Sequence, residues 1–237
     1  MRCAPCEKQG TRDMSRKDKG TVTELKTEND KSPGGAVMRL KSIVVGYLET
    51  NCYVLAEETG DAVIIDPGAS ADRILHLVDE MGVKPQCIML THTHSDHIGG
   101  LEGVRKAWDV PVLLSAEEAV FLRLPDNKKK TYQRGDLVNP VFNLLKDGDV
   151  IDIGNLELRT MLTPGHTPGS VCWSCGDVLF SGDTLFKDGI GRTDFEGGSY
   201  EMIMKSIKEK ILALPDATKV LPGHGQATTI GTERSYF

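Results

Sequence analysis

Short apolar runs recur along the chain from Met38 onward, separated by Gly, Thr, Asn and charged residues. They are rich in Val, Ile and Leu, and runs of this length and composition are typical of buried β-strands. The predicted strands cover residues 40–45, 52–56, 62–65, 87–90, 111–114, 150–153, 156–162, 171–173, 178–180 and 218–221.

Four other stretches carry apolar residues at a spacing of three or four, which predicts helices with one buried face. These helices cover residues 71–81, 101–108, 116–122 and 200–214. His76 lies off the apolar stripe of the first helix, so we expect it at the surface. Strands and helices alternate in an order that fits two mixed sheets covered by helices, an α/β fold.

Residues 1–37 differ from the rest of the chain. They are rich in Lys, Asp, Glu, Thr and Gly and hold few large aliphatic side chains. Such a segment buries too little apolar surface to offset its ordering entropy. We therefore expect a disordered tail over residues 1–37 and one folded domain over residues 38–237. Met38 is also a plausible start, with the tail an upstream extension of the reading frame, and the sequence leaves both possibilities open.

The amino-acid composition limits which binding partners and which cellular compartment we expect. The chain has 237 residues, 39% of them hydrophobic, which is enough for one substantial core. Its net charge of −6 argues against nucleic acid as a partner. No apolar run is long enough for a membrane span or a secretory signal, so we expect a cytoplasmic protein with no membrane partner. Cys172 and Cys175 fall on opposite faces of one predicted strand and cannot pair, which suits a reducing compartment.

The loop between strand 87–90 and helix 101–108 carries the sequence His92-Thr93-His94-Ser95-Asp96-His97. It holds three of the six histidines of the chain. Neutral imidazole and carboxylate are the ligands that zinc and similar ions take. The loop can direct His92 and His94 to one ion and Asp96 and His97 to a second. The alternative, a polar loop that is merely rich in histidine, fits poorly because so few histidines occur elsewhere.

Three Gly-containing turns each add one ligand-type residue after an apolar run. His166 lies in Thr-Pro-Gly-His-Thr-Pro-Gly, Asp183 in Phe-Ser-Gly-Asp-Thr, and His224 in Leu-Pro-Gly-His-Gly. Glycine permits the tight turn that presents such a side chain at a strand end. Each turn alone is weak evidence for a metal ligand. Together with the first loop, the three turns predict a metal centre.

This ordered series of residues resembles the metallo-β-lactamase superfamily of metal-dependent hydrolases. Residues 182–186 (GDTLF), 191–195 (GRTDF) and 222–225 (PGHG) are similar to its glyoxalase II-like branch, the hydroxyacylglutathione hydrolase type, in a short form. The resemblance implies a four-layer αββα sandwich with the site at one edge between the sheets.

The resemblance also implies two divalent metal ions, zinc by preference, with iron or manganese as alternatives. It assigns His92, His94 and His166 to one ion and Asp96, His97 and His224 to the other, with Asp183 bridging. Two such ions lower the pKa of a shared water from about 15.7 toward about 7, so that a metal-bridging hydroxide serves as the nucleophile. Asp96 has a further catalytic role in this scheme, orienting that hydroxide.

The implied substrate is a small-molecule thioester, with a glutathione conjugate of a small hydroxy acid as the type case. Arg192 occupies the position of a basic residue that helps to hold the thiol carrier, and Phe195 that of an aromatic residue in the substrate site. The chain ends at Phe237, without the C-terminal helical extension of the larger enzymes, so thioesterase activity is the firmer expectation and glutathione specificity the weaker. Either a monomer or a homodimer fits.

The main alternative function is that of a mononuclear iron persulfide dioxygenase acting on glutathione persulfide. That enzyme shares the fold and a stretch similar to residues 191–195, and it holds one iron through a first-loop histidine, a later histidine and the aspartate. Residues 98–100 and 222–225 look more like the hydrolases. A metal-storage module is a weaker alternative, because it would not need an open position for a shared water. β-Lactamase or nuclease activity is weaker still, because the sequence shows no secretion signal and no added nucleic-acid-binding stretch.

Overall fold

Two mixed β-sheets dominate the fold. The computed structural model describes residues 21–25, 38–122 and 142–237. The strands are β1 (Val22–Leu25), β2 (Met38–Val45), β3 (Thr50–Glu57), β4 (Asp61–Ile65), β5 (Lys84–Met89), β6 (Val112–Ser115), β7 (Phe142–Leu145), β8 (Val150–Ile153), β9 (Leu156–Leu162), β10 (Val171–Cys175), β11 (Val178–Gly182), β12 (Leu185–Phe186), β13 (Gly189–Ile190), β14 (Lys219–Pro222) and β15 (Thr228–Thr229). The helices are α1 (Ala71–Met81), α2 (Ser95–Ile98), α3 (Leu101–Ala107), α4 (Ala116–Leu122), α5 (Tyr200–Glu209), a 3₁₀ helix (Ile211–Ala213) and α6 (Ile230–Arg234).

Within the described ranges, the first sheet has seven strands in the order β1-β2-β3-β4-β5-β6-β7, and the second has six in the order β15-β14-β11-β10-β9-β8. Strands β1 to β4 pair antiparallel, whereas β4 to β7 pair parallel. In the second sheet β11 and β14 are the parallel pair. Parallel neighbours need a crossover connection, and α1 and α5 lie in two of these crossovers.

Apolar side chains form three layers among the described residues, because successive side chains of a strand point to opposite faces. On β4, Ala62 and Ile64 pack outward against the helices of the first sheet, and Val63 and Ile65 pack inward between the sheets. A third cluster joins the outer face of the second sheet to α5. The layers therefore run helix, sheet, sheet, helix, and the predicted αββα sandwich is confirmed.

Most of the predicted helices and strands are present in the structure, above all where the apolar periodicity is strong. Helix 71–81 and strands 150–153 and 156–162 have the predicted bounds. Cys172 packs in the outer cluster and Cys175 in the inter-sheet cluster, so their predicted placement on opposite faces is confirmed. The predicted helix over 200–214 is wrong in its last part, because α5 ends at Glu209 and a 3₁₀ turn follows. Every described helix is too short or too polar to cross a lipid bilayer.

The predicted tail is wrong for residues 22–25, which form β1. This strand pairs antiparallel with β2, from Val22 opposite Ile43 to Leu25 opposite Leu40. Leu25 is partly buried against the inter-sheet layer. A strand joins a sheet largely through main-chain hydrogen bonds, so four residues with two aliphatic side chains suffice where the composition of the whole segment predicted none. Residues 1–20 and 26–37 lie outside the described ranges.

Candidate metal centre

The predicted ligands lie on four segments that each follow the carboxyl end of a strand. The first loop and α2 follow β5, the His166 turn follows β9, the Asp183 turn follows β11, and the His224 turn follows β14. These ends meet at one edge between the two sheets. The first loop packs closely on the turn after β4, where a Cβ on Gly68 would lie 1.8 Å from the carbonyl oxygen of Asp96, so that only glycine fits.

All seven predicted ligands come together at this edge. Their donor atoms form three groups whose members lie within 4.8 Å of one another: His92, His94 and His166; His92, His97 and Asp183; and Asp96, His97 and His224. The first and third groups match the two sets assigned from the sequence.

Asp183 lies between the two sets. Its Oδ1 is 3.3 Å from His97 Nε2, and its Oδ2 is 3.5 Å from His166 Nε2 and 3.6 Å from His224 Nε2. One carboxylate thus reaches both groups of histidines, which is the placement that a bridging ligand requires.

Three donor atoms at the centre are left without hydrogen bonds. Among the described residues, His92 Nε2, His97 Nε2 and Asp183 Oδ1 are buried and have no hydrogen-bond partner. Leaving buried polar atoms unpaired is costly, about 1–3 kcal/mol each, unless a ligand satisfies them. Imidazole nitrogen and carboxylate oxygen facing one another in this way fit divalent metal ions.

Asp66 orients two of these histidines. Its Oδ2 accepts hydrogen bonds from His97 Nδ1 at 2.9 Å and from the Thr91 hydroxyl at 2.6 Å, and its Oδ1 accepts from the Thr91 amide at 2.8 Å. Because the Thr91 hydroxyl donates to Asp66, it can only accept from His92 Nδ1, which is 3.1 Å away. In the neutral form of each ring the proton therefore lies on Nδ1, and Nε2 faces the centre as the atom that can bind a metal ion.

Backbone carbonyls fix two further rings in the same way. His166 Nδ1 donates to the Arg192 carbonyl at 2.7 Å, and His224 Nδ1 donates to the Leu48 carbonyl at 3.0 Å. His94 differs, since its Nδ1 faces His166 Nε2 at 2.8 Å and is the atom turned toward the centre. The His224 turn is also tied across to β3, where the Asn51 amide donates to the Gly223 carbonyl at 2.7 Å.

The electrostatics favour ionised carboxylates and neutral histidines in the first set. Burial, and then the neighbouring histidines, lower the pKa of His94 to about 4. Burial also lowers the pKa of His92 and of His166. Burial raises the pKa of the Asp183 carboxyl, but its interactions with His97, His166 and His224 outweigh burial and lower that pKa. These are the protonation states that metal ligation requires.

A cavity of about 580 Å³ opens at the centre. The candidate ligands His94, Asp96, His166, Asp183 and His224 line its floor. Its walls are largely apolar, formed by Leu48, Phe121, Phe186, Ile190 and Phe195. The Phe195 ring lies with its centroid 5.4 Å from that of His94, so the predicted aromatic residue borders the metal site.

Arg192 also lines the cavity, but its charge is already matched. Its guanidinium donates to both carboxylate oxygens of Asp194, at 2.9 and 2.7 Å, and stacks 4.2 Å above the centroid of the Phe195 ring. Sequence reasoning missed Asp194 as a partner. The role of Arg192 in holding a thiol carrier stays a prediction.

Comparison with known proteins identifies the family of this fold and metal centre. The model of the metallo-beta-lactamase superfamily matches residues 45–224. The chain belongs to the metallo-β-lactamase superfamily. It is 40% identical over 201 residues to the probable metallo-hydrolase YqgX of Bacillus subtilis, covering 83% of this chain and 95% of that protein. It is 33% identical over 202 residues to the hydroxyacylglutathione hydrolase GloC of Haemophilus influenzae, with the same two coverages.

Three solved structures show the same fold. The B3 metallo-beta-lactamase BLEG-1 superposes with a TM-score of 0.76 at 38% identity, covering 83% of this chain and 96% of that one. TTHA1623 in a di-iron-bound form has a TM-score of 0.71 at 31% identity, with coverages of 81% and 96%. ETHE1 from Myxococcus xanthus has a TM-score of 0.70 at 29% identity, with coverages of 82% and 81%. Family and metal centre together support a metal-dependent hydrolase.

The contact between Asp66 and His97 gives a first prediction for this superfamily member. In Asp66→Asn the new amide would donate to His97 Nδ1, which moves the ring proton to Nε2, the atom that faces Asp183. We expect metal affinity to fall about 10–100-fold, as is usual when a partner of a metal ligand is lost. Chelator competition on the zinc-loaded protein measures it, with exposed Asp72→Asn on α1 as the control. Unchanged affinity in Asp66→Asn would show that this contact does not orient His97.

Proposed function

We propose that the protein is a dinuclear metal-dependent thioesterase of the hydroxyacylglutathione hydrolase type. The observation that carries the proposal is the presence of two donor sets with Asp183 between them, the donor atoms of each set lying within 4.8 Å of one another. When bound, two divalent ions lower the pKa of a shared water toward about 7 and polarise a carbonyl oxygen. The likeness to GloC supports the thioester branch of the superfamily.

The chain's own residues hold the centre ready for that chemistry. His92, His97, His166 and His224 each keep a proton on Nδ1, so their Nε2 atoms are free to ligate. Asp96 receives a hydrogen bond from the Thr50 hydroxyl at 3.4 Å, and its Oδ2 lies 3.1 Å from His224 Nε2. Held between these two groups, Asp96 is positioned to orient an attacking water as well as to ligate.

The cavity suits a small acyl thioester. Phe186, Phe195 and Ile190 supply apolar surface for the acyl chain and the thioether part of the substrate. The polar ligands lie together at the floor, where the carbonyl carbon must sit for attack. We propose zinc as the metal, with iron or manganese as alternatives, and the neighbour TTHA1623 is a di-iron form.

A mononuclear iron persulfide dioxygenase is the second candidate, favoured by the likeness to ETHE1 from Myxococcus xanthus. One iron would use a first-loop histidine, His166 and Asp183. That function leaves no role for His224, yet His224 Nε2 lies 3.1 Å from Asp96 and 3.6 Å from Asp183. This second set supports the hydrolase over the dioxygenase.

The test measures metal content, thioester turnover and oxygen uptake on the same preparation. We expect close to two metal equivalents per chain and cleavage of a small hydroxyacyl thioester of glutathione without oxygen consumption. Oxygen uptake with glutathione persulfide and one iron per chain would overturn the thioesterase proposal. A second thioester built on a simpler thiol reports whether the glutathione carrier itself is recognised.

A further inference from the structure

Glu118 is a buried carboxylate that joins two of the ligand-bearing loops. It lies on α4 and is 1% exposed. Its Oε1 accepts hydrogen bonds from the Thr93 amide at 2.8 Å and the Thr93 hydroxyl at 2.7 Å, and its Oε2 accepts from the Thr167 hydroxyl at 2.6 Å. Thr93 lies between the ligands His92 and His94, and Thr167 directly follows His166. One carboxylate therefore holds the neighbours of all three ligands in the first set.

The start of α4 is itself fixed against the His166 turn. The Ser115 hydroxyl donates to the Gly169 carbonyl at 2.6 Å and accepts from the Glu118 amide at 3.0 Å. A Cβ on Gly169 would come within 2.0 Å of the Glu118 amide nitrogen, so the turn and the helix touch through their backbones. The carboxylate is thus held in place relative to both loops.

Burying a carboxylate is unfavourable unless hydrogen bonds compensate for the lost hydration. Charge-assisted hydrogen bonds such as these three are about twice as strong as neutral ones, and they offset that cost. Filling the same space would need only an apolar side chain. The hydrogen bonds to the two loops therefore account for a charged residue at this buried position.

We propose that Glu118 is a positioning residue that clamps the first loop to the His166 turn and so sets the geometry of the His92, His94 and His166 set. It is not among the residues that line the cavity, and its described side-chain hydrogen bonds go to Thr93 and Thr167. The second set is held by other means, with His97 bound to Asp66 and His224 to the Leu48 carbonyl. Among the described hydrogen bonds, none links Glu118 to Asp96, His97 or His224. Its loss therefore weakens one metal site selectively.

The experiment measures zinc affinity site by site in the full chain, by competition of the zinc-loaded protein with a chromophoric chelator. We expect Glu118→Ala to lower the affinity for one ion about 10–100-fold and to leave the other within about threefold of wild type. The visible spectrum of the cobalt-substituted protein should change for the affected ion alone. The adjacent Glu117→Ala, exposed on the same helix, is the matched control and should bind both ions normally.

Glu118→Gln should restore most of the affinity. Its carbonyl still accepts from Thr93, and its amide can donate to the Thr167 oxygen while the Thr167 hydroxyl turns to Ser170 Oγ, 2.7 Å away. Unchanged affinity in Glu118→Ala, or equal weakening of both ions, would overturn the proposal. If Glu118→Ala does not fold, Thr167→Val removes one tether only, and wild-type zinc affinity there would overturn it equally. None of these measurements needs a substrate, so they stand apart from the thioesterase proposal.

Discussion

Replacing Asp183 by asparagine should abolish thioester hydrolysis and leave a folded protein. Asp183 lies within 3.6 Å of the Nε2 atoms of His97, His166 and His224, and asparagine keeps its size but removes its charge. Charge stabilisation at such a centre is worth several kcal/mol, which corresponds to a rate loss on the order of 10³-fold or more. His92→Ala should have a similar effect, because His92 belongs to two of the three donor groups.

Circular dichroism, metal content and turnover measured together check this prediction. Both side chains lie in turns at the sheet edge and contribute nothing to the apolar layers, so secondary structure should be unchanged. Asp152→Asn on the exposed face of β8 and His76→Ala on α1 repeat the same chemical changes away from the centre. Wild-type turnover in Asp183→Asn or His92→Ala would rule out the metal-centre assignment.

Replacing His224 by alanine should reduce hydrolysis by about 10²–10³-fold while one ion stays bound. His224 completes the second set, whereas His92, His94 and His166 remain intact to hold the first ion. A mononuclear dioxygenase would lose little, because its single iron does not use this residue. The variant therefore separates the two candidate functions by the size of the effect.

The measurement is turnover and metal stoichiometry of His224→Ala against Gln226→Ala, an exposed change on the same turn. Gln226→Ala should retain both ions and full turnover. Tolerance of His224→Ala together with oxygen uptake would replace the thioesterase proposal with the dioxygenase. Loss of both ions in His224→Ala would show that the two sites depend on one another.

The candidate ligands could be picked out in the sequence because their chemistry is local. His92 to His97 lie within one loop, and His166, Asp183 and His224 each follow a strand pattern in a Gly-containing turn. The layers could be predicted as well, since strand alternation and helical spacing directly encode which side chains are buried.

Asp66 and Glu118 could not be predicted, because their roles depend on which elements lie side by side. Asp66 reaches Thr91 only because β4 and β5 pair parallel with Ile65 opposite Met89. Glu118 reaches Thr167 across 49 positions of sequence. In the sequence, Asp66 is part of an Asp-Pro-Gly turn and Glu118 part of an acidic helix start, and neither pattern indicates a partner. The two-residue strands were missed because they are too short to show a period.

The edge strand β1 bears on how copies of the protein behave toward each other. Without it, the first sheet would end on the eight residues of β2, and an open strand edge of that length can pair with another chain. With it, the sheet ends on four residues in the part of the chain that the structure describes, and Glu24 lies opposite Lys41 in the register. A short, charged terminal strand disfavours sheet extension from molecule to molecule. We therefore expect residues 22–25 to disfavour pairing between copies of the protein, a role independent of the chemistry of the candidate metal centre.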